Sequence, residues 1–156
     1  KNIGGHRIEI PADEILEFGE DCIATGNYLK IENTPFDFRK AKAVDFSEVM
    51  QTQWGKDGEG IDHFFILQKH DGTVRKIATA TADNGIQMEI WSDQPGVQFY
   101  TSNFLNTEGK GGKSYVKHSG FCLEAQIHPN APRIAHFPSI RLEPNKVYKN
   151  HTEYRF

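Results

Sequence analysis

Three places in this sequence set side chains where they could do chemistry: a glutamate inside an alternating stretch, an acid beside an imidazole, and an amide at a rigid turn. In Phe121-Cys122-Leu123-Glu124-Ala125-Gln126 the apolar Phe121, Leu123 and Ala125 alternate with Cys122, Glu124 and Gln126. An extended strand sends these two sets to opposite faces. Glu124 then shares its face with a thiol and an amide, which is the setting of a general base if the face is partly buried, because taking a carboxylate out of water raises its affinity for a proton. An exposed glutamate on a wet face meets the same pattern. The local alternation leaves both readings open.

Gly60-Ile61-Asp62-His63-Phe64-Phe65 places Asp62 and His63 just ahead of an aromatic strand, where a loop-to-strand junction can aim side chains into a cleft. Asp62 could hold ligand hydroxyls there, or close a turn on its own backbone. Gln94, in Asp93-Gln94-Pro95-Gly96, offers a neutral donor and acceptor suited to hydroxyl recognition, or is simply a solvated turn residue. His118, His128 and His136 never adopt the close spacing of a metal site, so no metal is expected. Nucleophile-elbow, Walker and dinucleotide-binding motifs do not occur, and Gly109-Lys110-Gly111-Gly112 lacks the strand-loop-helix setting of a phosphate cradle.

The elements that must carry these residues read as strands. Asp71-Gly72 and Asn84-Gly85 are dipeptides favoured in two-residue hairpin turns, where both central residues need positive φ. They delimit strands at Phe64 to Gln68, Val74 to Thr81 and Ile86 to Trp91. Further strands are expected at Val97 to Ser102, Phe121 to Gln126, Ser139 to Leu142 and along Val147 to Phe156. Weaker signals lie at His6 to Ile10 and Tyr28 to Ile31, with an extended stretch around Pro35. Asp45 to Gln53 alone has helical spacing, with Asp45 or Ser47 as caps. The fold class is therefore all-β, mostly antiparallel, in a single domain over residues 1–156.

Composition narrows the function classes. The 156 residues carry 18 basic and 21 acidic side chains, a formal charge of -3, and no basic block, so nucleic acid is not an expected partner. Eleven Phe, five Tyr and two Trp supply enough apolar mass for a core. No run approaches the roughly 20 apolar residues of a membrane-spanning helix, and Lys1 to Gly5 does not read as a signal peptide. Cys22 and Cys122 stand far apart without metal or redox spacing, which favours free thiols and a cytoplasmic location.

Taken together, three segments resemble the galactose mutarotase, or aldose 1-epimerase, family. They are Gly60-Ile61-Asp62-His63-Phe64, the run Gln94-Pro95-Gly96-Val97-Gln98-Phe99-Tyr100-Thr101-Ser102-Asn103-Phe104, and His118 to Gln126. Thr34-Pro35-Phe36-Asp37-Phe38-Arg39 upstream agrees, as do Phe137-Pro138-Ser139 and Val147-Tyr148 downstream. The resemblance implies the large antiparallel β-sandwich of that family, of which this chain would be the carboxy-terminal half. It implies interconversion of the α and β anomers of hexoses such as galactose or glucose, with no metal or organic cofactor. Glu124 would be the base that takes the anomeric proton, and Asp62 and Gln94 would bind sugar hydroxyls.

The family's acid is a histidine in an Asn-His-x-Tyr-Phe-Asn type motif of the amino-terminal half, and none of the seven histidines here stands in that context. The resemblance thus implies a second chain carrying that half, from a split gene, a processed precursor or a nicked protein. It also implies sheet edges and apolar faces left uncovered. Phe64 replaces a small amide common in the family and Ala125 a threonine, both bearing on fine specificity. The alternative is a non-catalytic carbohydrate-binding or interaction module that has lost proton transfer. A hexose 6-phosphate mutarotase would need a set of basic residues that the sequence does not show.

Overall fold

The computed structural model describes residues 2–19 and 21–156. Its strands, in chain order, are β1 (Arg7–Glu9), β2 (Ala12–Phe18), β3 (Ala24–Lys30), β4 (Lys42–Ala43), β5 (Asp62–Leu67), β6 (Arg75–Thr81), β7 (Gln87–Ser92), β8 (Gly96–Tyr100), β9 (Asn106–Glu108), β10 (Ser114–Val116), β11 (Cys122–Gln126) and β12 (Thr152–Arg155). Two short helices, α1 (Phe46–Val49) and α2 (Gln53–Asp57), lie between β4 and β5. Asp45 caps α1 by accepting from the backbone of Ser47 and Glu48, and the Thr52 hydroxyl caps α2 at Gly55.

Two five-stranded sheets result, ordered β12-β7-β6-β1-β4 and β11-β8-β5-β2-β3, with β9 and β10 forming a separate ribbon. Every pairing among the described residues is antiparallel. The all-β class is thus the observed one. Ile8 and Ile90 from the first sheet share one core with Ile15, Phe65, Val97, Phe99 and Leu123 from the second, the arrangement of a β-sandwich. Phe38 sits edge-on to both Phe65 and Phe99, at 6.0 and 5.6 Å between ring centroids, and such pairs add about 1 kcal/mol each beyond their buried area.

The second sheet is also covered on part of its outer face. Leu16, Ala24 and Phe64 there pack against Ala131 and Phe137, so the segment after β11 folds back over β2, β3 and β5. This leaves the outer face of β8 and β11 as the more open part of the sheet.

Several expected elements differ. Asp71-Gly72 does not close a hairpin: β5 and β6 lie in different sheets, and the turn begins a crossing between them. Asn84-Gly85 does join paired strands, but only Gly85 has positive φ, at 87°. The Gly85 N–H donates to the Ala82 carbonyl and Ala82 N–H to that of Ile86, a longer loop than the two-residue turn. The stretch around Pro35 is a series of turns, with Thr34 bonded to Ile31 and Asp37 to Thr34. Ser139 to Leu142 pairs with no strand, and the terminal strand shortens to β12.

Candidate active site

The ladder of β5, β8 and β11 decides which side chains share a face. Glu124 stands opposite Gln98, and Gln98 opposite Phe64; Cys122 stands opposite Tyr100, and Tyr100 opposite Asp62. Paired residues of an antiparallel sheet point the same way. Cys122, Glu124, Gln98, Tyr100 and Asp62 therefore occupy the outer face, while Leu123, Phe99, Val97 and Phe65 point into the core. His63, next to Asp62, takes the inner side. It is 6% exposed and lies 4.8 Å from the Phe36 ring, and its Nδ1 accepts the Asp62 N–H. Burial pushes this imidazole down to about 4, so it is a neutral packing group at pH 7.

On the outer face the Gln98 Nε2 donates to Asp62 Oδ1 at 2.7 Å. A carboxylate can only accept when ionised, which fixes the orientation of the amide and turns its oxygen away. That Gln98 Oε1 is buried and has no hydrogen-bond partner. It is an acceptor left without a donor within the chain. Burial raises the Asp62 carboxyl above its ordinary value, opposed by the Gln98 hydrogen bond. The Cys122 thiol is raised by burial and then by the negative charges of Glu124 and Asp62.

Asp62, Gln98 and Gln126 line a cleft of about 440 Å³ together with Trp54 and Phe104, a size typical of small-molecule sites. Glu124 is outside this lining; its ladder partner Gln98 is within it. The partial burial expected for Glu124 is not found. Its strand is the edge of the sheet, and the side chain is exposed.

Gln94 is not brought to Asp62. Asp62 pairs with Tyr100 at one end of β8, and Gln94 precedes Gly96 at the other. Gln94 is buried, its Nε2 donates to Asp93 at 2.9 Å and its carbonyl accepts the Arg75 guanidinium at 3.2 Å. It holds the crossing from β7 to β8. Gln98, rather than Gln94, is the amide beside Asp62, and its signal in the sequence is a polar side chain between the apolar Val97 and Phe99, on the alternation that carries Tyr100.

Each of the seven histidines has one ring nitrogen at hydrogen-bond distance of a partner within the chain, while the buried His128 Nδ1 has none. The rings of His6, His70, His118 and His136 meet backbone carbonyls, that of His63 an N–H, that of His128 the Tyr28 hydroxyl and that of His151 Glu153. Among the described residues no group of three or more His, Cys, Asp or Glu side chains is arranged to hold a metal ion. No helix among them is long and apolar enough to cross a membrane.

The aldose 1-epimerase family model matches residues 1–155. The chain belongs to the aldose 1-epimerase family. It is 39% identical to galactose mutarotase of Bos taurus, covering 99% of this chain and 44% of the bovine protein. It is 33% identical to aldose 1-epimerase of Escherichia coli K12, covering 99% of this chain and 46% of that enzyme. The crystal structure of a GalM/aldose epimerase homologue from C. elegans superposes with a TM-score of 0.82 at 28% identity, covering 98% of this chain and 46% of the homologue. The chain thus spans less than half the length of the relatives it matches, and its sandwich has the aldose epimerase fold.

Proposed function

We propose that residues 1–156 form one domain of an aldose 1-epimerase that carries the base and part of the hexose site, with Glu124 as the base. Asp62 and Gln98 bind sugar hydroxyls, and Gln94 supports the turn that sets β8. The observation that carries this reading is the shared outer face, with Glu124 opposite Gln98 in the ladder and the Gln98 amide 2.7 Å from Asp62. Glu124 takes the proton from the anomeric hydroxyl while an acid protonates the ring oxygen, and the C1 to ring-oxygen bond breaks. Rotation about the C1 to C2 bond and closure on the other carbonyl face give the opposite anomer, after which each proton returns.

The acid is supplied by polypeptide outside these 156 residues. Two observations support this: no histidine shares the ladder face of Glu124, Gln98 and Asp62, and the glutamate is exposed on an edge strand. Seating further chain over β8 and β11 would exclude water from Glu124 and the sugar together. The substrates are hexoses such as galactose, by analogy with the named galactose mutarotase, or glucose.

Polarimetry tests the proposal. The protein as isolated, with every polypeptide that accompanies it, is mixed with freshly dissolved α-galactose or α-glucose. The approach to anomeric equilibrium should exceed the spontaneous rate by orders of magnitude, and Glu124→Gln should remove about a hundredfold or more of that acceleration. A spontaneous rate with the wild-type protein, or an unaffected Glu124→Gln variant, overturns the assignment; hexose binding without acceleration would favour a non-catalytic module.

A further inference from the structure

The approach to Asp62 is tied down by a buried polar knot that none of the proposed chemistry uses. Thr101 and Asn103 are 0% and 2% exposed. The Thr101 hydroxyl accepts the Ile61 N–H at 3.0 Å and donates to Asn103 Oδ1 at 2.6 Å. The Asn103 amide uses both its protons, on the Gly58 carbonyl at 2.6 Å and the Ile61 carbonyl at 3.0 Å. The Ile61 carbonyl also accepts the Thr101 N–H at 2.9 Å, which extends the β5–β8 ladder by one step beyond Asp62 and Tyr100. On the far side the His118 ring meets the Thr101 carbonyl at 2.8 Å and stacks on Phe46 at 3.8 Å.

Both side chains are fully satisfied, which is the condition under which a buried network rigidifies its surroundings. Gly60 within the clamped loop has φ of 145°, and a Cβ there would collide with Asn103 Oδ1. The loop is therefore shaped around the amide. Its outlet is the Asp62 backbone, and Asp62 meets Gln98 three residues before Thr101 on the partner strand.

We propose that Thr101 and Asn103 are positioning residues that aim Asp62 at Gln98, so that the carboxylate and the amide present one preset pair to the ligand. Its kinetic readout rests on the hexose reading; its spectroscopic readout does not. Thr101→Val removes the hydroxyl at nearly constant volume, Thr101→Ser retains it, and Asn103→Ala removes both amide clamps from the other side.

The test reads two quantities on the protein as isolated. In NMR spectra the Gln98 side-chain amide protons, held by Asp62, should shift in Thr101→Val and in Asn103→Ala and return to the wild-type position in Thr101→Ser. In mutarotation assays the first two variants should raise KM by roughly tenfold with kcat changed less than about twofold, and Thr101→Ser should restore KM. Folded variants with the Gln98 resonances and KM of the wild type overturn the proposal. Loss of the dispersed spectrum in both also overturns it, since the knot would then serve folding rather than aim. Failure of the hexose reading looks different: the wild type neither binds nor turns over hexose, while the Gln98 shift still follows the Thr101 hydroxyl.

Discussion

Cys122 reports on the site because its thiol senses both carboxylates that the proposed chemistry needs. Burial raises its pKa first, and the charges of Glu124 and Asp62 raise it further. In a Cys22→Ser background, the pH midpoint for alkylation by iodoacetamide should lie above the roughly 8.5 of an unperturbed thiol. Glu124→Gln and Asp62→Asn should each move it down. A midpoint indifferent to both substitutions would separate Cys122 from the carboxylates and break the shared face. At this scale the face that Glu124 shares with Cys122 and the junction that carries Asp62 were legible in the sequence. Gln98 was not singled out, because an amide in mid-strand acquires meaning only once the register sets it opposite Glu124 and beside Asp62. Gln94 has the better local setting and lies at the other end of β8 from Asp62.

Among the elements, the segment after β11 is the one whose attachment depends on protonation. His128 is 5% exposed, between the Phe64 and Phe137 rings at 4.9 and 4.7 Å, with its Nε2 3.4 Å from the Tyr28 hydroxyl. Burial, then the neighbouring His70 and His136, push it down to about 4. An unfolded histidine titrates near 6.5. Between those values the unfolded chain binds the extra proton, so stability is full above about pH 6.5 and declines as pH falls toward about 4. His63 contributes with the same sign. Each imidazole accounts for on the order of 3 kcal/mol by pH 4. Urea unfolding at pH 7 and pH 4.5 should show this loss, and His128→Phe should remove about half of it. An unchanged pH dependence in that variant would contradict the neutral, caged imidazole.

The strands flanked by turn dipeptides were legible, since Asn84-Gly85 and the β-branched runs act locally. β2 was not. Its sequence, Ala-Asp-Glu-Ile-Leu-Glu-Phe, does not alternate, because bulges interrupt its pairing with β3 and β5. Ile15 and Leu16 are also both buried, one in each core cluster, where both faces of the sheet are covered. Asp71-Gly72 could announce a turn but not a change of sheet, which depends on where β6 finds its partners.

Over the whole molecule, the two sheets enclose one core, and the 131–137 segment covers the outer face over β2, β3 and β5. The open part carries Glu124, Cys122, Gln98 and Asp62, with Phe104 63% exposed at the cleft. That is the surface on which further polypeptide is proposed to close around a hexose. The exposure of Glu124 could not be read from alternation, which distinguishes two faces but not which of them the molecule covers. The most direct test of the account is a galactose titration of the isotope-labelled protein followed by NMR. It predicts saturable shifts at the Gln98 side-chain amide, Asp62 and Cys122, with the Gln94 amide unmoved. Saturable shifts centred on the Gln94 turn or elsewhere, with Gln98 and Asp62 silent, would contradict it.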